Sequence, residues 1–214
     1  MRKITGLICT ALLACTVASA QTNWKLKSNK DGIEVYIKNV ENSDLKAIRV
    51  KCSLQATLSQ LTAIVLDVNT GAEWVYSTKS STLLKQVSPL EVYYYSEVAL
   101  PWPISNRDFV AHLKASQDQH TKVVTIDGPV IHNYVPEKKG IVRVNKSSGK
   151  WILSPGPKNT VKIDYTLETD PGGSIPVWAV NLFAAKGPTE TFKKLKEHIA
   201  KPAYKHVRLP SIVD

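Results

Sequence analysis

The chain has 214 residues, with 28 basic against 18 acidic side chains and a formal net charge of +10. That length suits one domain with a sizeable core, and the charge favours anionic partners. Three cysteines, two of them within the first fifteen residues, exclude a disulfide-built scaffold, because only Cys52 is left for the folded part.

Residues 1–20 read as an export signal. Arg2 and Lys3 form a positive head, Ile4 to Val17 an apolar stretch, and Ala18-Ser19-Ala20 a small-residue cleavage site. The stretch falls short of the about 20 apolar residues that a spanning helix needs. Cleavage after Ala20 predicts a periplasmic or secreted domain over residues 21–214 with 26 basic and 18 acidic residues. The alternative is a lipidated Cys15, since Leu12-Leu13-Ala14-Cys15 resembles a bacterial lipobox.

Gly32 to Val40 and Leu45 to Leu54 alternate apolar and polar residues, which predicts two half-buried strands joined at Asn42-Ser43-Asp44. Cys52 falls in the second and reads as a buried apolar residue. Thr57 is placed to cap an apolar helix over Leu58 to Val68. Strands follow at Thr82 to Val87, Glu91 to Leu100, Arg107 to Gln117, Thr121 to Asp127, Ile141 to Asn145, Lys150 to Leu153 and Thr160 to Glu168. Turn residues separate them, including Ser147-Ser148-Gly149, so the run predicts an antiparallel meander. Ser174 with Pro176 opens a final helix. Trp178, Leu182 and Ala185 line one face at helical spacing, continued by Phe192, Leu195 and Ile199, with a kink or break expected at Gly187-Pro188. A twisted antiparallel sheet curling around a long C-terminal helix is an α+β helix-grip fold, with room for an internal cavity.

No enzyme motif is present. His112, His120, His132, His198 and His206 are scattered, with no metal-ligand spacing, nucleophile elbow or phosphate loop. No metal or cofactor is therefore expected. The lysines lack the aromatic platform of a nucleic-acid binder.

Three stretches carry a resemblance. Leu100 to Val110 reads LPWPISNRDFV, Gly140 to Val144 reads GIVRV, and Asp170 to Ala185 reads DPGGSIPVWAVNLFAA. Together they resemble the START family of lipid-transfer domains, closest in motif to its phosphatidylcholine-transfer branch. The resemblance implies a monomeric, non-catalytic protein that takes one lipid or similar hydrophobic molecule into an internal cavity. The alternative within the helix-grip superfamily is a cyclase-like or hydrolase-like enzyme, with Arg107, Tyr94 and Tyr165 as its candidates. Departures from the family pattern are specific. Gly71 stands where the phosphatidylcholine carriers have a phosphate-binding arginine, and Ser96 and Phe109 replace two members of their choline cage. Leu113 and Tyr94 replace the arginine and acid of the sterol carriers.

If Ser96 and Phe109 line the cavity, strand alternation adds Tyr94, Val98, Ala111 and Leu113, together with Arg107. Arg107 is expected either in a structural ion pair with a carboxylate or on the ligand. Asp108 and His112, of opposite parity, are expected at the surface or a corner. Trp178 and Leu182 are expected to pack over the cavity, or simply in the core. Lys193, Lys194 and Lys196 form a basic helix face, either merely solvated or docking on an anionic membrane surface.

Overall fold

The structure, a computed structural model, describes residues 24–39 and 46–214. The expected export signal, Cys15 and the expected turn at Asn42-Ser43-Asp44 lie outside the described residues. Ten strands form one sheet: β1 (Lys25–Lys30), β2 (Ile33–Asn39), β3 (Lys46–Gln55), β4 (Thr78–Ser88), β5 (Glu91–Val98), β6 (Arg107–Gln117), β7 (Val124–Pro129), β8 (Val142–Arg143), β9 (Lys146–Pro155) and β10 (Thr160–Asp170). Helices α1 (Leu58–Leu66) and α2 (Gly71–Trp74) lie between β3 and β4, and α3 (Val177–Ile199) follows β10. The helix-grip expectation holds: a large curved antiparallel sheet carries a C-terminal helix.

The order β1-β2-β3-β10-β9-β7-β6-β5-β4 departs from a simple meander, because β3 pairs with β10 rather than with β4. Leaving the sheet after β3 takes the chain through α1 and α2 and restarts it at the far edge. β1 escaped the sequence reading because its residues, KLKSNK, are mostly exposed and show no apolar alternation. Lysines on such an edge strand discourage pairing with other chains.

The Ser147-Ser148-Gly149 turn is also corrected, since these residues lie inside β9 and pair with β7 and β10. Gly128 and Gly149 face each other across strands. A Cβ at Gly128 would come within 2.7 Å of Leu113 Cδ2, so the glycine is there to admit that side chain. The strand expected over Ile141 to Asn145 shrinks to Val142–Arg143, which runs parallel to Arg107 and Asp108 of β6.

α1 starts as the sequence predicts. Thr57 Oγ1 accepts from Gln60 N, and Gln60 Oε1 accepts from Thr57 N, a reciprocal capping box. The Asp214 carboxylate also accepts from Ser59 N at 2.7 Å, placing negative charge at the positive end of the helix. α3 is one uninterrupted helix with Pro188 inside it, so no break occurs at Gly187-Pro188. Its C-terminal half is fixed by Phe192, Leu195 and Ile199, all buried in the main core with Val35, Val50, Leu61 and Leu153.

Asp108 is not a surface residue. It is 1% exposed and forms a fork with Arg143, Nε to Oδ1 at 2.7 Å and Nη2 to Oδ2 at 3.1 Å, while Tyr95 Oη donates to Oδ2 at 3.0 Å. Parity placed it correctly on the face opposite the cavity. That face is covered here by the segment before β8, where Arg143 donates to the carbonyls of Val135 and Pro136. His112 lies on the same outer face, half-buried, stacked on Tyr93 at 4.2 Å and bonded to Glu91 at 2.8 Å.

Removing the carboxylate strands a buried guanidinium, so Asp108→Ala is expected to cost about 3–5 kcal/mol in urea unfolding. Asp108→Ala with Arg143→Met should recover most of that loss.

Candidate functional site

Between the concave sheet face and α3 lies a cavity of about 390 Å³. Strand pairing builds its sheet wall. Tyr94 opposes Ala111, Ser96 opposes Phe109, Val98 opposes Arg107 and Val92 opposes Leu113 across β5 and β6, so the even residues of one strand and the odd residues of the other share a face. Tyr94, Ser96, Val98, Arg107, Phe109, Ala111 and Leu113 all contribute to the cavity wall. Tyr94 and Phe109 meet edge to face at 5.7 Å.

The floor is aromatic. Trp151 lies opposite Tyr165 across β9 and β10, with ring centroids 4.5 Å apart, and packs against Phe192 of α3 at 5.4 Å and Trp74 of α2 at 6.2 Å. The sequence reading did not place Trp74 or Trp151 at the cavity. Parity could have put Trp151 and Leu153 on one face, but nothing in the sequence says which face is concave.

The roof is α3, through Ala179, Val180, Phe183, Ala184, Gly187 and Pro188. Trp178 and Leu182 are corrected: Trp178 is 51% exposed and neither residue lines the cavity. Residues 177–185 are apolar almost all round, so helical spacing alone could not choose among faces. Gly187 permits close approach of the Tyr76 ring, since a Cβ there would stand 3.3 Å from Tyr76 Cδ1. Tyr76 also packs against Phe183 at 5.6 Å, and its backbone N–H donates to Thr191 Oγ1 at 3.0 Å. The corner before β4 is thereby latched onto the roof.

Polar groups in this lining are sparse. Ser96 Oγ donates to the Ser80 carbonyl at 3.2 Å. Desolvation pushes the Tyr94 phenol up to about 12 and the Tyr165 phenol higher still, so both stay protonated. Trp74 is buried, and its Nε1–H has no hydrogen-bond partner among the described residues. Asp67 accepts from Tyr204 Oη at 2.7 Å.

Arg107 does not form the expected structural ion pair. Among the described residues it meets no carboxylate; its Nε donates to the Pro171 carbonyl at 3.0 Å, Nη2 to Gly172 at 2.8 Å and Nη1 to Ser105. It ties the loop holding Trp102, which is 91% exposed, to the loop before α3. The lysine face is only partly free. Lys194 and Lys196 are exposed, but Lys193 pairs with Asp31 at 2.8 Å. Cys52 is buried in the core, and burial pushes its thiol up to about 12, which suits an inert packing role.

An apolar space beneath a C-terminal helix is the frame in which the three sequence stretches meet. The START domain family is matched over residues 9–204. The chain belongs to the START domain family. An uncharacterized protein of Pseudomonas aeruginosa is 34% identical, covering 89% of this chain and 96% of the relative. The phosphatidylcholine transfer protein of Bos taurus is 28% identical over 80% of this chain and 81% of its own length. Among solved structures, a STAR-related lipid transfer protein fragment from Xanthomonas axonopodis superposes with a TM-score of 0.76 at 33% identity, covering 84% of this chain and all of the fragment. Membership of a lipid-transfer family supports lipid binding by this START domain.

Leu113, 7% exposed on the wall, offers a direct probe. Leu113→Arg places an unpaired charge in apolar surroundings, and is expected to abolish lipid uptake and lower the urea midpoint. Unchanged uptake with unchanged stability would remove Leu113 from the cavity.

Proposed function

We propose that the mature chain is an exported carrier that holds one lipid-like molecule in this cavity and exchanges it with membranes. The observation that carries the reading is the wall itself: apolar on the sheet, floor and roof, with a few polar groups spaced around it. A hydrophobic cargo is driven into such a space by the release of apolar surface from water. Phosphatidylcholine is not the favoured cargo, because Gly71, Ser96 and Phe109 remove the charged and aromatic groups that would hold its head. The wall offers protonated phenols and a guanidinium as hydrogen-bond donors, and its carboxylate, Asp67, is already bonded to Tyr204, which favours binding over catalysis.

Export rests on the residue pattern before Gln21, and places the work in the periplasm or the medium. Exchange requires contact with a bilayer. Trp102 and Trp178 present amphipathic rings suited to a membrane interface, and Lys194 and Lys196 add positive charge for an anionic surface.

Purified mature protein mixed with vesicles of total bacterial lipid, then re-isolated, should show one lipid mass per chain by native mass spectrometry; protein that stays empty would contradict the carrier reading. With each base worth about 1 kcal/mol at an anionic surface, Lys194→Glu with Lys196→Glu should weaken binding to anionic vesicles roughly tenfold or more. Unchanged binding would assign docking elsewhere.

A further inference from the structure

Among the described residues, Arg107 and Asp67 are the formally charged members of the cavity wall, and they differ in how they are satisfied. Asp67 already accepts the Tyr204 hydroxyl. Arg107 is 4% exposed and has three carbonyl partners for the five N–H groups of a guanidinium, leaving one N–H on each terminal nitrogen. Carbonyl dipoles offset part of its desolvation but bring no countercharge. The neighbouring arginine shows the contrast: Arg143, also buried, is neutralised by the fork to Asp108. Burial lowers the Arg107 pKa from its ordinary value, the mark of a cation short of a counter-ion.

The wall beyond Arg107 suits an apolar tail. Arg107 and Leu113 stand six strand positions apart on β6, a span of roughly 20 Å at about 3.3 Å per residue, and both line the cavity. Phe109 and Ala111 lie between them on the same wall.

We propose that the cargo is an amphiphile with an anionic oxygen head, carboxylate or phosphate monoester, seated against Arg107 with its apolar part running along β6 towards Leu113. This rests on the cavity being the binding site. The head completes the two free N–H groups and supplies the countercharge, a stronger contact than any neutral head can make.

The test is a competition on the mature wild-type protein, with bound masses read by native mass spectrometry. Vesicles carry equimolar hexadecanoic acid, hexadecyl phosphate, hexadecanol, hexadecyltrimethylammonium and dipalmitoylphosphatidylcholine. The acid or the phosphate should load at one per chain and at least tenfold above the alcohol, the larger of the two naming the head. Arg107→Gln should reduce that preference to about twofold; if the variant does not fold, the wild-type series still decides. Equal loading of acid and alcohol overturns the head assignment, as does preference for the ammonium. Preferential loading of the phosphatidylcholine overturns it too, because that head carries no net negative charge. A protein that takes none of the five but loads from total bacterial lipid overturns the proposal alone. One that loads from neither overturns the carrier reading itself.

Discussion

A void inside a protein has to be held open against the same forces that close a core. The cavity between sheet and α3 forgoes packing contacts that a filled core would make there. Filling it with apolar cargo returns the lost contacts, so binding and stability are coupled in this fold. The rest of the structure follows from that constraint.

The sheet carries the arch. Long interior strands such as β6, β9 and β10 pair with neighbours on both sides along the curve, so the concave face can be apolar without orphaned amides. The fork between Asp108 and Arg143 braces the convex side where β6 and β8 meet. α3 divides its work along its length: Phe192, Leu195 and Ile199 fix the C-terminal half in the core, while Val180, Phe183 and Ala184 form the roof. Pro188 sits between the halves and lacks the N–H that would bond the carbonyl four residues earlier, a weak point in the helix exactly where the roof begins. Tyr76, packed under Gly187 and bonded to Thr191, latches the roof from below.

Much of this was legible in the sequence because period-two alternation survives where one sheet face is apolar. On β5 and β6 it gave both strands and put seven residues on one face, while the family resemblance, through Ser96 and Phe109, pointed that face at the cavity. It failed where composition hid the strand: β1 is polar, and Ser147-Ser148-Gly149 has the composition of a turn while serving as strand opposite Gly128. It failed again on α3, where a segment apolar on nearly all sides gives helical spacing no face to prefer, so Trp178 was placed on the roof when it faces out. Burial of Asp108 was illegible for a different reason. The segment covering the outer sheet face arrives from beyond Pro129, and no local pattern announces a tertiary lid of that kind. Arg107 had open alternatives, and the structure answers with backbone carbonyls, partners that carry no sequence signal.

The account's central claim is that the cargo lies inside, between the sheet and α3. A crystal structure of the mature protein loaded with lipid tests it most directly. Continuous density along the concave face from Arg107 to Leu113, roofed by Val180 and Phe183, is the predicted result. A lipid lying on the outer sheet face, with the cavity unfilled or collapsed, would contradict it.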